Sequence, residues 1–352
     1  MKRFPYVDST AESRAAGRDL EYPVGTGLYL GTVARTVSTP DGFFNANAAG
    51  IALMGLAGGL VLIAMALEPR RVLLYAIGPA MILYAFHNWD LLAVGLATIA
   101  MYAYWRGADA WAGLLLGVGA ATKLYPAFLL PAFALGAWRR DRRPPWGMGL
   151  AFLAGVAALN VPVMIANFEG WKYPWDFQSM RTANFETSWF MIHRHFGWFG
   201  DATFVNELSA ALFVVATALL VTLEALRKRA RPFALGFGIL VAFLLTAKVF
   251  SPQYALWLLP FFVLLRLPWW SYMAFAVTDA AVWFSVSAFF LAIQYNVGDP
   301  ATRLNVLEIA VWARYAVLLM LLVLSRHTTE LVRDPGPQAG PGREPAPVPL
   351  TA

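Results

Sequence analysis

Long apolar stretches alternate with short polar ones along almost the whole chain, and few of the apolar stretches show the every-second or every-third polar position of a water-facing element. Crossing a bilayer as a helix takes roughly 20 apolar residues at about 1.5 Å each. Residues 46–67, 146–166, 204–226, 269–292 and 306–325 approach or exceed that length. Six further apolar stretches, 71–86, 91–105, 109–123, 125–138, 232–248 and 252–266, are shorter and interrupted by Gly or Pro. Such pieces in a membrane protein mark broken or re-entrant helices that line a cavity. The pattern predicts an all-α, multi-pass transmembrane helical bundle of about 11 membrane segments. Residues 1–45 form a segment on one face, with an interfacial or re-entrant helix over 24–39. A transmembrane domain follows over 46–325, carrying one long polar loop at 167–203, and a Pro- and Gly-rich tail over 326–352 is expected to be disordered.

Composition strengthens this reading. Hydrophobic residues make up 59% of the 352 and charged residues 14%, against about 25% charged in ordinary soluble domains. Mean hydropathy is +0.56. With no cysteine there is no disulfide framework. The net charge of +6 is sorted by side. EPRR, WRGAD, WRRDRRPPW, RKRAR, Arg266 and RHTTELVR fall on one side of the bundle, which the positive-inside rule makes cytoplasmic together with the tail. The arginine runs are therefore orientation signals and not a nucleic-acid surface. The other side receives residues 1–45, HNWD, Lys123, the 167–203 loop and KVFSPQ. Chemistry is expected there, on the outer face of the plasma membrane. This topology puts the N-terminus outside with no helix upstream to carry it across, so the reading expects either that the short hydrophilic start crosses unaided or that a first helix belongs before Met1.

Candidate chemistry gathers at that outer face. In GAATKLYPAFLLP, Lys123 interrupts an apolar run beside a helix-breaking proline. It either snorkels to the headgroups or faces a cavity and an anion. KVFSPQY repeats the logic: Ser251 and Pro252 suit a helix start, and Lys248 beside it favours an anion, with Gln253 and Tyr254 following. In HNWD, Asp90 caps a helix or, with His87 and Asn88, rims the cavity as polar contacts or as a general base. The 167–203 loop interleaves aromatics with Arg181, His193, Arg194 and His195, a composition suited either to sugar rings or to an interfacial helix. His193 and His195 lack a third clustered ligand, so a metal site is not expected. Nucleotide-binding and hydrolase motifs are missing. Asp279 and Arg314 lie within apolar runs; they pair with each other or serve transport.

The stretches EYPVGTG, NWDLLAVGLATIAMYAYWRGADAWAGLLLGVGAATKLYPAFLLP and KVFSPQYALWLLPF together resemble glycosyltransferase family 87, over roughly residues 4–325. The resemblance implies a GT-C-like fold and transfer of a hexose, typically mannose, from a polyprenyl-phosphate carrier to a glycolipid or glycan hydroxyl with inversion. It implies no cofactor beyond that lipid-linked donor, and no obligatory metal. Lys123, Tyr125, Lys248, Ser251, Gln253, Tyr254 and, more loosely, Arg181, with His87 and Asn88, match positions suited to the donor. The family's base carboxylate normally follows a first transmembrane helix, a region that would lie before the FPYVD stretch here. The substitutes in this chain are Asp8, Asp19, Glu21 and Asp90. A lipid or sugar transporter or flippase, and a truncated non-catalytic partner of a transferase, are the competing readings.

Overall fold

A computed structural model describes residues 4–335. Helix accounts for 77% of the structure, and the β-pairing among the described residues is two isolated bridges. Five helices are long and apolar enough to cross a membrane: Pro40–Met65, Trp146–Ala166, Ala202–Ala225, Trp269–Tyr295 and Pro300–His327. Only 11% to 39% of the residues in their most apolar windows are buried. Helices that expose most of such a surface need a lipid solvent, because in water it would be an aggregation liability.

The expected count of about eleven membrane segments is not reproduced. The other apolar stretches fold into shorter pieces packed behind the long ones, and apolar character there reflects a protein core instead of lipid contact. Pro232–Thr246 has apolar residues on every face and is buried along nearly its whole length. Asp90–Trp105 is buried along most of its own. The 109–123 stretch is the uninterrupted helix Asp109–Thr122, and prolines cut the other three. The 71–86 run divides into a 3₁₀ turn at Pro69–Arg71 and the helices Val72–Ala76 and Pro79–Tyr84. The 125–138 run begins as a 3₁₀ turn, Tyr125–Leu129, before the helix Leu130–Asp141. The 252–266 run is 3₁₀ over Pro252–Leu258 and α-helical only over Leu259–Leu264. Prolines at the first turns of these pieces supply a fixed φ and no N–H, so each starts a helix and cannot continue one.

Caps set two long helices earlier than hydropathy alone does. Thr39 accepts from Gly42 N ahead of Pro40–Met65, and Asp299 accepts from Thr302 N ahead of Pro300–His327. The 167–203 segment contains two helices, Phe168–Met180 and Ser188–Phe196, and Val24–Thr36 is the short helix expected near the start.

The basic loops converge at one end. Glu224, fully buried, meets Arg231 at 2.9 Å, Arg227 at 3.1 Å and Arg326 at 3.2 Å. The chain beyond the last helix, expected to be disordered, instead crosses this end as an ordered strap as far as Arg333. Leu331 is buried, Leu331 N donates to Leu264 O at 2.7 Å, and Arg333 N donates to Met65 O at 2.8 Å. Glu330 holds the strap by accepting from the free N–H groups of Phe233 and Ala234 at the start of Pro232–Thr246. Backbone pairing of this kind needs no apolar pattern, so the Pro-rich composition downstream hides it. The expected disorder of 336–352 lies outside the described residues.

Removing a buried carboxylate that neutralises several arginines should cost roughly 3 kcal/mol. Glu224→Gln is therefore expected to lower the unfolding temperature of the purified protein by several degrees, measured by intrinsic fluorescence in detergent. An unchanged transition would show that the arginines need no buried partner.

Candidate active site

The motif residues of the opposite end converge on one aspartate. Asp90 begins the helix Asp90–Trp105, but its side chain does not cap that helix. It is fully buried and turns both oxygens inward: Oδ2 accepts from Lys123 Nζ at 2.9 Å and Oδ1 accepts from Trp257 Nε1 at 2.8 Å. Lys123 reaches it because the helix Asp109–Thr122 stops there, with Lys123 extended at φ −151°. Its ammonium lies 5.1 Å from the ring centre of Tyr254 and 5.3 Å from that of Tyr22, close enough for cation–π attraction. Lys123 thus commits one of its three donors to Asp90 instead of reaching freely for a headgroup.

Trp257 organises the two motif tyrosines. Tyr125 stacks on its indole at 4.3 Å and Tyr254 at 4.0 Å, with interplanar angles of 12° and 21°. The 3₁₀ form of Pro252–Leu258 explains the second contact, because residues three apart eclipse in a 3₁₀ helix and bring Tyr254 over Trp257. K-L-Y-P and S-P-Q-Y are therefore two halves of one packed block joined through Asp90 and Trp257. Trp257 was not among the residues singled out from sequence, although its i, i+3 spacing from Tyr254 was a readable signal.

The third motif, EYPVGTG, brings the N-terminal segment against this block. Gly25 packs so closely on the end of Asp109–Thr122 that a Cβ there would stand 2.9 Å from Ala121 O, and Thr26 Oγ1 donates to Thr122 O at 2.8 Å. Tyr6 fills the space that a side chain at Gly27 would need, and its hydroxyl donates to Tyr22 O at 2.7 Å. Tyr22 in turn accepts from Asn88 Nδ2 at 2.6 Å. These contacts fix Glu21 and Tyr22 at the mouth of the site.

Two adjoining cavities open there, of about 540 and 1030 Å³. Glu21, Tyr22, Arg181, Ser251 and Gln253 line both. The smaller also receives Lys123, Tyr125, Tyr254 and Lys248. The larger receives His87, Asn88, Glu186, His193 and a set of aromatics. Lys123 and Lys248, 125 positions apart by their numbering, thus face one cavity. Asp8 and Asp19 line neither cavity; Asp8 accepts from Phe4 N and Asp19 from Ser9 Oγ. Ser251 precedes the 3₁₀ turn without a side-chain cap bond. Among the described residues no group of three or more His, Asp or Glu side chains is placed to hold a metal.

The cations differ in how far they are committed. Lys248 Nζ donates to Gln178 O at 2.8 Å and to Arg181 O, closing the C-terminal end of the helix Phe168–Met180. Burial, followed by the nearby Arg181 charge, lowers its pKa to about 8. Arg181 donates through Nη2 to Asn184 Oδ1 at 2.9 Å, which occupies one of the five N–H donors of a guanidinium. Gln253 is buried, and its Oε1 has no hydrogen-bond partner among the described residues, so a ligand hydroxyl would satisfy it.

Arg314 and Asp279 do pair, at 3.4 Å, deep between Trp269–Tyr295 and Pro300–His327. Arg314 also donates to Glu186 O at 2.7 Å and stacks over Phe250 at 3.7 Å. The intramembrane charges thus brace the outer segment, which leaves the transport reading without the free midplane charges that suggested it.

If Lys123 and Asp90 serve each other, each single loss should strand a buried charge and cost roughly 3–5 kcal/mol, while joint replacement by apolar residues should restore much of it. Lys123→Met, Asp90→Leu and the double variant form the cycle, read as unfolding temperatures. Additive losses would show that the two side chains are not coupled.

No curated protein matches the sequence. The family model for glycosyltransferase family 87 matches residues 22–252. That stretch holds Tyr22, Asp90, Lys123, Arg181 and Lys248, while Glu21, Gln253, Tyr254 and Trp257 lie just outside it. With well over half of the chain matched and its helices built for a bilayer, the protein belongs to glycosyltransferase family 87 and is a membrane glycosyltransferase.

Proposed function

We propose that the chain transfers a hexose, mannose in the first instance, from a polyprenyl-phosphate carrier to a hydroxyl of a glycolipid or glycan, on the outer face of the plasma membrane. The observation that carries this reading is the juxtaposition of Arg181 and Lys248 with Glu21 around one cavity. A lipid phosphate is a delocalised anion that a guanidinium with open donors can grip. The apolar floor of the cavity, where Phe128 and Phe243 lie 4.7 Å apart, suits the start of a prenyl chain. The orphan Gln253 amide oxygen suits a sugar hydroxyl.

The distribution of basic loops supports this orientation. The arginines around Glu224 and those flanking the strap lie at the helix ends opposite the cavities, and such basic loops stay in the cytoplasm. The cavities then face outward and the C-terminal segment inward.

Glu21 is the base in this reading, because among the acids suggested by sequence it alone lines both cavities and is not consumed by a lysine and an indole as Asp90 is. The acceptor oxygen attacks the anomeric carbon as its proton passes to the Glu21 carboxylate. The bond from that carbon to the phosphate oxygen breaks, and the electron pair leaves with the lipid phosphate toward Arg181 and Lys248. Attack opposite the leaving group inverts the anomeric centre. Fixed cations stabilise the charge that develops on the phosphate without reorganising. Lys123 acts at one remove, holding Asp90, Trp257 and the tyrosines in place.

The purified chain in lipid nanodiscs, given polyprenyl-phosphate mannose and membrane glycolipids, is expected to form a mannosylated lipid. Glu21→Gln should lower the rate about 10²- to 10⁴-fold, and Arg181→Ala about 10²- to 10³-fold. No transfer by the wild-type chain, or full activity in both variants, would refute the reading. Because the Lys248 pKa is depressed to about 8, its ammonium loses the proton as pH rises through that value. Affinity for the monoanionic donor should therefore fall between about pH 7 and about pH 9, a window in which an ordinary lysine would stay charged, and Lys248→Arg should flatten the profile. An unchanged slope in that variant would remove Lys248 from the donor site.

A further inference from the structure

The larger cavity contains a carboxylate that the donor chemistry does not use. Glu186 is 7% exposed, lines the cavity, and makes no ion pair within 4.0 Å among the described residues. Burial raises its pKa, partly offset by a hydrogen bond from its own backbone N–H and then by the charges of Arg314 and Arg181. Its own backbone N–H supplies one donor, and a carboxylate has room to accept several more hydrogen bonds from a ligand.

Its position is held with unusual firmness for a loop. Arg314, fully buried, donates to the Glu186 carbonyl at 2.7 Å and is itself held by Asp279 at 3.4 Å. The next residue, Thr187, accepts from Phe190 N at 3.3 Å and donates to Asn184 O at 2.7 Å, which locks the start of Ser188–Phe196. A buried Arg–Asp pair between two long helices is costly to desolvate, and here its outward contact is to the backbone that carries Glu186.

The company Glu186 keeps narrows the ligand. Trp283, Phe190 and Phe199 offer apolar faces, and Asn88 and Gln294 offer amides. Arg181 lines the same cavity and disfavours a cation, while Glu21 and Glu186 together disfavour an anion. A neutral polyol satisfies all of them: its hydroxyls donate to the carboxylate and its C–H faces lie against the rings. The volume of about 1030 Å³ accommodates more than a single sugar ring.

We propose that the larger cavity seats the sugar of the acceptor, that Glu186 accepts hydrogen bonds from two of its adjacent hydroxyls, and that Arg314 and Asp279 are positioning residues for Glu186. This rests on the glycosyltransferase reading and adds the acceptor's chemical class and its anchoring side chain. Glu186 here binds and does not take the proton.

The test compares two probes with the same octyl tail, octyl α-D-mannopyranoside and tetraethylene glycol monooctyl ether, titrated calorimetrically into the full chain in nanodiscs. The wild type should prefer the mannoside by about tenfold or more, the difference expected for hydrogen bonds to a charged acceptor. Glu186→Gln should lose that preference, Glu186→Asp should keep part of it, and both should still bind citronellyl phosphate as the wild type does. Equal binding of the two probes by the wild type would overturn the proposal, as would full preference in both variants. Loss of citronellyl phosphate binding in both variants would also overturn it, since Glu186 would then be a general structural support. Failure of sugar transfer with the mannoside preference intact would instead refute the donor chemistry alone.

Discussion

The ion pair between Lys123 and Asp90 is the constraint on which the outer half of the molecule depends. A carboxylate with no exposed surface can exist in a membrane protein only if its charge and lone pairs are met. Lys123 supplies the charge and Trp257 the second hydrogen bond. To supply it, the helix before Lys123 must end there, the chain must restart at Pro126, and the 3₁₀ turn after Ser251 must turn Trp257 inward. Three separate breaks in the helical pattern are thus consequences of satisfying one buried acid. Arg181 and Lys248 are left at the cavity wall, and Glu21 sits where the two cavities join.

This division of labour between neutralised and available charge matters for the chemistry. A base must be able to gain a proton, and a phosphate ligand must have donors to give. Asp90 and Lys123 satisfy each other, so neither is available at no cost. Arg181, with most of its donors uncommitted, and Glu21, with access to both cavities, are the groups whose chemistry remains open. The Arg314–Asp279 pair applies the same device one level further out, using a buried ion pair to hold the backbone at Glu186.

Much of this was legible in the sequence, for definite reasons. The five long helices announce themselves because lipid-facing surface admits few polar residues, and the basic loops sort by side. The motif residues Lys123, Tyr125, Ser251, Gln253 and Tyr254 stand out because a charge or a proline in an apolar run is costly, and the structure gathers all of them at the smaller cavity. The shorter apolar stretches leave the count of spans less legible because burial in protein and burial in lipid select the same residues. The pairing of Asp90 with Lys123 was hidden because each admitted a local reading, a helix cap for Asp90 and snorkelling for Lys123, beside a ligand-facing one, and sequence spacing does not show which charges meet. Glu186 was hidden altogether: it sits in an aromatic stretch with no periodicity, and only the three-dimensional contact with Arg314 marks it. The strap beyond His327 was hidden because backbone hydrogen bonds and one buried leucine hold it, within a composition that otherwise favours disorder.

The most direct measurement is an electron cryomicroscopy structure of the chain bound to a non-transferable phosphonate analogue of citronellyl-phosphate mannose. The phosphorus should lie in the smaller cavity beside the Arg181 guanidinium and the Lys248 ammonium, with the Lys123–Asp90 bond intact and the anomeric carbon facing Glu21. A phosphonate seated on Lys123, with Asp90 released from it, would contradict the view that this pair is the structural keystone and not the donor site.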